Sequence, residues 1–273
     1  MVIGDLMNHF RQVGTWVNWD QTADHLLHGD AGQQVSGIAA TWIPTNRVIR
    51  QAASKGLNLI VSHEPLFFDR DAPRGHRGTP AGERLMAEKK ALLDEAGITV
   101  IRCHDVWDRM PEFGIPDAWA AWLGFETAPR PLHSFYNVCL LGLATFGQVA
   151  GHVLERVRLL GQDWLLVLGD RDRQVGRLVV GTGAITPLAV MYELNVDAAV
   201  LTDDGMTTWE AGYFSVDSGF PLIIVNHATA EKPGMMMMAR YLKEVYPSLP
   251  IEYLDVELPW RLAQENRPGR SGQ

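Results

Sequence analysis

Four short stretches of the sequence place imidazole or carboxylate side chains close together. They are His63-Glu64, His104 with Asp105 and Asp108, Asp203-Asp204, and His227 with Glu231. Mixed nitrogen and oxygen ligands suit Zn, Mn, Fe or Co, whereas Ca and Mg prefer oxygen ligands alone. One four-coordinate ion would leave carboxylates unused, whereas two ions sharing a bridging carboxylate would use them all. The residue types therefore indicate a dinuclear metal site.

Each stretch is weak evidence when taken alone. A single His at a strand end is usually a turn residue, and the spacing of His227 and Glu231 arises by chance in many chains. Pro233 also disfavours a helical conformation at Lys232, so we expect Glu231 to lie just before a helix rather than one turn along it. The hypothesis of a metal site depends on three such His-plus-carboxylate pairs occurring at strand ends.

Short apolar runs separated by helix-length segments must position these side chains. The predicted strands that matter most are residues 35–42, 57–61, 98–102, 178–180, 198–201 and 221–225. Alternating strands and helices indicate parallel pairing with crossover helices. In open parallel sheets, ligands bind beyond the carboxyl ends of the strands. Each of the four stretches directly follows one of these strands, so we expect them to converge.

This pattern predicts an α/β fold with two α/β lobes. Their mixed, largely parallel sheets would be covered by helices, with the metal site in the cleft between the lobes. We assign residues 1–125 together with 221–273 to the metal-binding lobe, and residues 126–220 to a smaller second lobe. The polar segment 20–34 is predicted to be irregular.

Composition argues against several classes of protein. The 273 residues carry 24 Lys and Arg against 32 Asp and Glu, a net charge of −8, whereas nucleic-acid binding calls for a basic footprint. Two cysteines do not make a disulfide framework of the secreted kind. Without a signal-peptide pattern or an apolar run near the roughly 20 residues that span a bilayer, we expect a soluble, cytoplasmic protein without membrane contact.

Three smaller features have a functional and a structural interpretation. Gly181-Thr182-Gly183 could cradle a phosphate, but it lacks the P-loop spacing, so a tight turn is favoured. Trp42 and Trp107 could stack on a substrate ring, but ordinary packing is favoured. Cys103 is interpreted as a buried strand residue rather than a metal ligand.

The same residues carry a family likeness. Residues 58–68 (NLIVSHEPLFF), the stretch from His104 to Asp108, residues 181–183, residues 197–204 and the closing pair His227 and Glu231 occur in the order found in one family. The chain resembles the GTP cyclohydrolase I type 2 homologues, also described as NGG-one-interacting-factor-three-like proteins. Adjacent histidines usually end the first motif there, whereas Glu64 takes the second position here, as in some members. The segment near Asp20 departs from the family's Gly-Leu pattern, and we assign it no role.

The resemblance implies two divalent ions and names their ligands, which are His63, Glu64, Asp108, His227 and Glu231, with His104 lining the site. Because Glu64 adds a hard oxygen ligand, the preferred metal moves from Zn towards Mn, Fe or Mg. The resemblance also implies a ring-shaped homo-oligomer, often a hexamer built as a trimer of dimers, and hydrolase-like chemistry on a small molecule.

Two functions of different classes follow. In the first, the protein is a metal-dependent hydrolase in which two ions activate water against a phosphoester, a nucleotide or a cyclic amide, and His104, Asp203 or Asp204 carries the proton. In the second, it is a non-catalytic metal-binding ring or adaptor whose ions are structural. An open coordination position next to the cleft would favour the first function, and a closed one the second.

Overall fold

The computed structural model describes residues 1–66, 79–131, 134–184, 187–204 and 208–260. The strands are β1 (Leu26–His28), β2 (Ile38–Thr41), β3 (Leu59–Ser62), β4 (Thr99–Arg102), β5 (Glu126–Thr127), β6 (Asn137–Thr145), β7 (Leu166–Leu168), β8 (Gln174–Val180), β9 (Ala198–Thr202), β10 (Leu222–Val225) and β11 (Ile251–Tyr253). The helices are α1 (Ile3–Val13), α2 (Asn46–Ser54), α3 (Pro80–Ala96), α4 (Ile115–Leu123), α5 (Phe146–Arg158), α6 (Leu188–Tyr192), α7 (Tyr213–Ser218), which follows a π-helical turn at Thr208–Gly212, and α8 (His227–Val245). Residues 67 and 68 of the motif at 58–68 lie outside the described ranges.

The first sheet has the strand order β1-β4-β3-β2-β11, and all its pairs are parallel except β1 with β4. β2 and β3 are buried along their whole length, which is why their sequences are continuous apolar runs rather than alternating ones. In the register of β3 and β4, Ser62 lies opposite Arg102. The residues that follow these two strands therefore leave the same edge of the sheet side by side.

The second sheet has the order β5-β6-β8-β9-β10-β7. Its central strands β8, β9 and β10 are parallel, and the antiparallel strands lie towards its edges. The predicted α/β fold class, with two mixed sheets covered by helices, is confirmed. No helix in the described ranges combines the length and apolarity needed to cross a bilayer.

The chain returns from the second sheet to the first after β10, which ends at Val225. β10 pairs in parallel with β9 in the second sheet, although the predicted boundary at 221 assigns it to the first lobe. α8 then contributes Met235 and Met238 to the core beneath the first sheet, and β11 pairs with β2 there. The division of the chain at residues 125 and 221 stays a prediction, and the boundary as drawn separates β10 from the sheet in which it pairs.

Two local predictions are wrong. The segment 20–34 contains β1, an edge strand of three residues that is too short to be recognised from its sequence. α8 begins at His227 and includes Pro233, so Glu231 lies one helical turn after His227 rather than before the helix. Proline removes one hydrogen bond from a helix interior. Here packing offsets that cost, because Gly234 lies close against Ile115 of α4 and its carbonyl accepts a hydrogen bond from Trp107 Nε1 at 2.8 Å.

Candidate metal centre

His63, the first residue after β3, is completely buried. Its Nδ1 lies 3.4 Å from the carbonyl oxygen of Cys103. Its Nε2 has no hydrogen-bond partner among the described residues, yet it lies 3.3 Å from Glu231 Oε2 and 3.4 Å from Asp108 Oδ1. Burial lowers the pKa of His63 to about 3, so the ring is neutral near neutral pH. With its proton assigned to Nδ1, facing the carbonyl, the Nε2 lone pair points at two other acceptors, an arrangement that calls for a cation.

Asp108 and His104 lie in the turn that follows β4. Asp108 is 6% exposed, and burial raises its pKa to about 7, with help from the nearby carboxylates of Glu231 and Glu64. The His104 ring stacks on His63 with centroids 4.4 Å apart, and its Nδ1 lies 3.3 Å from Asp108 Oδ2. Burial alone would lower the pKa of His104, but the carboxylates of Asp108 and Asp105 raise it to about 9. The turn thus offers one imidazole and one carboxylate beside His63.

The first turn of α8 offers a second such pair. Glu231 Oε1 lies 2.9 Å from His227 Nε2, and Glu231 Oε2 accepts a hydrogen bond of 2.8 Å from Trp42 Nε1. Burial alone would raise the pKa of Glu231, but the imidazoles of His227 and His63 lower it. Glu231 therefore uses one oxygen towards His227 and the other towards His63.

Glu64 is the second residue after β3 and lines the opening beside this cluster. Its Oε2 is 3.2 Å from Arg102 Nη2, and its Oε1 is 3.8 Å from His227 Nε2. Burial raises the pKa of Glu64, and the neighbouring Glu231 carboxylate adds to the effect. One carboxylate oxygen of Glu64 is thus paired with the Arg102 guanidinium, and the other faces the cluster.

Two sets of residues lie close enough together to hold a metal ion. One is His63, His104 and Asp108, and the other is His63, Glu64 and Glu231, with ligand atoms within 4.8 Å of one another in each set. The two sets contain His104 and four of the five predicted ligands, and the fifth, His227, contacts Glu231. A buried His, Asp and Glu group of this kind can bind a metal ion.

Asp203 and Asp204, two of the predicted proton carriers, both hold His227. Asp204 Oδ2 lies 2.7 Å from His227 Nδ1. Asp203 accepts hydrogen bonds from the His227 backbone N–H at 2.9 Å and from Asn226 Nδ2 at 2.8 Å. A carboxylate on one ring nitrogen fixes the tautomer and leaves the other nitrogen for a metal. Both contacts position His227, and only Asp204 lines the cavity.

A cavity of about 280 Å³ opens directly onto the cluster. Its lining consists of Glu64, His104, Asp108, Thr182, Gly183, Ala184, Asp204, His227 and Glu231. Gly183 has φ +68°, and a Cβ there would lie 3.4 Å from His227 Nε2. Gly183 thus adopts the left-handed backbone conformation that favours glycine, and the missing side chain leaves room next to the imidazole.

The predicted site residues do not include two that support the cluster. Trp42 was interpreted as a packing residue, but besides its hydrogen bond to Glu231 its ring meets His227 edge-on, with centroids 5.3 Å apart. Asp24, to which we assigned no role, is buried and binds the backbone of the turn at His104. Both contacts join residues 80 or more positions apart, so no local pattern could have revealed them.

Comparisons with known proteins found one matching family and several proteins with a similar fold. A sequence model of a family described as Duf34/NIF3 (NGG1p interacting factor 3) matches residues 2–258. A Clostridium perfringens protein named GTP cyclohydrolase 1 type 2 homolog is 22% identical over 255 residues, covering 89% of this chain and 92% of that protein. The structure of a Staphylococcus aureus hypothetical protein has a TM-score of 0.75 at 17% identity, covering 96% of this chain and 99% of the other. A Bacillus cereus protein related to NIF3 has a TM-score of 0.75 at 13% identity, with the same coverage of 96% and 99%. At these identities the two structures show a shared fold.

Proposed function

The chain belongs to the Duf34/NIF3 family, and on this premise we propose that it is a hydrolase that depends on two divalent metal ions. The observation that carries the proposal is the buried Nε2 of His63. This atom lacks a hydrogen-bond partner among the described residues and lies within 3.4 Å of two buried carboxylates. Leaving buried polar atoms unsatisfied costs about 1–3 kcal/mol each, and bound cations would remove that cost.

The five residues expected to hold the ions are His63, Glu64, Asp108, His227 and Glu231. Glu231 is suited to bridging, since its two oxygens already approach two different imidazoles. With three carboxylates among five ligands, the set favours Mn, Fe or Mg over Zn. Bound divalent ions would supply Lewis acidity and lower the pKa of water towards neutrality.

The protein's own groups would bind and orient the substrate and move the proton. His104 has Nδ1 engaged by Asp105 at 3.0 Å, so its Nε2 is the atom left to accept or donate a proton. Asp204, which also lines the cavity, orients His227 through its Nδ1. Most of the residues that line the cavity are ionisable, and its volume of about 280 Å³ lies just below the range of ligand sites, which starts at about 300 Å³. This favours a phosphoester, the phosphate end of a nucleotide, or a cyclic amide as substrate.

A non-catalytic role with structural ions is the alternative. Structural metal sites tend to be closed by protein ligands, whereas catalytic sites keep one position open. The cavity beside Glu64, His104 and His227 supports catalysis, because it gives a small molecule access to the cluster. The ring-shaped homo-oligomer implied by the family stays a prediction, and the mass of the protein in solution tests it.

A combined metal and activity assay tests the proposal. Elemental analysis of the gently purified protein should find close to two divalent ions per chain, and the metal-loaded protein should hydrolyse members of a phosphoester, nucleotide and cyclic-amide panel. Asp108→Asn should abolish turnover, whereas Asp172→Asn, which makes the same change at an exposed site, should leave it unchanged. Turnover no higher than that of Asp108→Asn with Mn, Zn and Fe would refute the hydrolase and favour structural ions.

A further inference from the structure

The turn that carries His104 and Asp108 is held by a carboxylate from a segment that lies 80 residues earlier in the sequence. Asp24, 7% exposed, accepts hydrogen bonds from three consecutive backbone N–H groups, those of His104, Asp105 and Val106. Those from Asp105 and Val106 measure 2.9 and 2.8 Å. Bonds from backbone N–H groups to an ionised carboxylate are about twice as strong as those between neutral groups.

The contact is reciprocal. Asp105 Oδ2 accepts from Thr22 Oγ1 at 2.8 Å and from the Ala23 N–H at 3.0 Å, and Thr22 Oγ1 in turn accepts from the Asp24 N–H at 3.0 Å. Two carboxylates thus each bind the backbone of the other's segment. We call this pair of segments, residues 22–24 and 104–106, the carboxylate clasp.

The clasp begins where the sheet ends. β1 pairs with β4 up to Leu26 opposite Ile101, and the Arg102 backbone N–H donates to the His25 carbonyl at 2.9 Å. Beyond this point backbone pairing stops, because the chain after Cys103 turns to bring Asp108 towards His63. The Asp24 carboxylate binds the N–H groups that the turn would otherwise leave without sheet partners. The residues that precede the edge strand β1 therefore fix the shape of a turn at the metal centre.

We propose that Asp24 is a positioning residue for the metal centre, which acts through the clasp to hold His104 and Asp108 at the distances that His63 and an ion require. This inference rests on the proposed function, since it assigns a support to the same site. Residues that orient metal ligands from behind typically change metal affinity 10- to 100-fold when they are mutated. Asp24 contacts the backbone of the turn that carries His104 and Asp108, so its mutation should change metal coordination as well as the stability of the fold.

Titration of the full-length, metal-free protein with Co²⁺ tests the proposal, because the visible absorption of Co²⁺ reports its coordination. Asp24→Asn offers one acceptor oxygen in place of two and should weaken Co²⁺ affinity about 10- to 100-fold, with an altered spectrum at saturation. Thr22→Val, which keeps the Asp24 carboxylate, should weaken it by a smaller factor. The control is Asp30→Asn, which makes the same change at an exposed residue outside the clasp. The Asp30 carboxylate accepts a hydrogen bond from the Gly32 N–H. This variant should behave as the wild type does.

The outcomes separate the inference from the proposed function. If Asp24→Asn melts at a lower temperature but binds Co²⁺ with wild-type affinity and spectrum, the role is structural only and the inference is overturned. If Asp24→Asn does not fold, the Co²⁺ affinity and spectrum of Thr22→Val are compared with those of the wild type, and wild-type values overturn the inference. A wild-type protein that binds no Co²⁺ would overturn the proposed metal centre and the inference with it, whereas unaffected variants of a protein that binds Co²⁺ overturn the inference alone.

Discussion

Glu231→Gln removes one charge from the centre of the proposed site while keeping the size of the side chain. Glu231 is 2% exposed, and its oxygens lie 2.9 Å from His227 Nε2 and 3.3 Å from His63 Nε2. The glutamine presents one weaker acceptor oxygen and one amide group that cannot bind a cation. We therefore expect this variant to lose more metal affinity than any other single change of comparable size.

The expected size of the effect follows from mass action. Mutating a residue that orients a metal ligand weakens metal affinity by up to about 100-fold. We expect the mutation of a direct ligand to weaken metal affinity at least as much. At a metal concentration about 1,000 times the wild-type Kd, binding stabilises the folded state by about 4 kcal/mol, and a 100-fold weaker Kd leaves about 1.4 kcal/mol. In chains of roughly this size 1 kcal/mol shifts Tm by about 2–4 °C. The metal-induced rise in Tm should fall from roughly 8–16 °C in the wild type to roughly 3–6 °C or less.

Differential scanning fluorimetry of metal-free protein with and without Mn²⁺ measures this rise. Because each variant is compared with its own metal-free form, any change that the mutation makes to folding cancels. The matched control is Glu244→Gln on the same helix, an exposed glutamate paired with Arg240, which should keep the wild-type rise. A Glu231→Gln protein with the full wild-type rise in Tm would refute the assignment of Glu231 as a shared ligand.

Three further changes test the surroundings of the site and the fold. Trp42→Phe removes the Nε1–H that holds Glu231 Oε2 and should weaken Mn²⁺ binding about 10- to 100-fold by calorimetry. Gly183→Ala places a methyl group at φ +68°, which should cost roughly 1–2 kcal/mol of stability and also narrow the cavity, lowering turnover. Burial alone would raise the pKa of Asp117, but Arg130 lowers it. This ion pair therefore stabilises the fold at pH values above the ordinary carboxyl pKa near 4, and it stops doing so as the pH falls through the lowered pKa of Asp117. Asp117→Asn should reduce the free energy of unfolding by roughly 2 kcal/mol near neutral pH, and by progressively less in acid.

Each of these variants has its own control. Trp122→Phe removes an indole donor that binds the Arg156 carbonyl away from the cavity, so unchanged Mn²⁺ affinity is expected there, and an equal loss would count against a specific role for Trp42. Gly56→Ala imposes similar strain, at φ +71° with open space around it; if it lowers turnover as much as Gly183→Ala does, strain rather than the cavity is responsible. Chemical denaturation measures the free energy of unfolding of wild type and Asp117→Asn from pH 7 to acid. A difference between them that stays constant over this range would contradict the assigned pKa direction.

Much of the site could be predicted because the fold repeats one simple rule. His63 and Glu64 follow β3, Asp108 follows β4, and His227 follows β10, so each predicted ligand pair lies at the carboxyl end of a buried parallel strand. Apolar runs identify such strands, and parallel pairing places the ends of β3 and β4 at one edge of the first sheet. The approach of His63 to Asp108 was therefore predictable from strand positions, whereas the approach of His227, which follows a strand of the second sheet, depends on how the two sheets pack.

What could not be predicted are the contacts that depend on packing between distant elements. Asp203 was expected to carry a proton, but its two oxygens are taken up by the backbone and side chain at the start of α8. Nothing in the sequence distinguishes it from Asp204, its neighbour, which does line the cavity. The side-chain direction of adjacent residues beyond a strand depends on the turn that follows, and a turn of two or three residues has no periodicity to interpret.

The error near Pro233 has a physical origin. Sequence rules treat proline in a helix interior as a cost, and Pro233 lies two residues after Glu231, in a cluster that also holds the unpartnered Nε2 of His63. Local costs of this kind persist where the surrounding structure fixes them, and they concentrate at functional sites. Here α8 follows a strand of the second sheet, carries Glu231 into contact with His63 from the first, and is held there by Trp107 on Gly234. An ion at this position would bind side chains positioned by both sheets, so metal binding and the packing of the two sheets should stabilise each other.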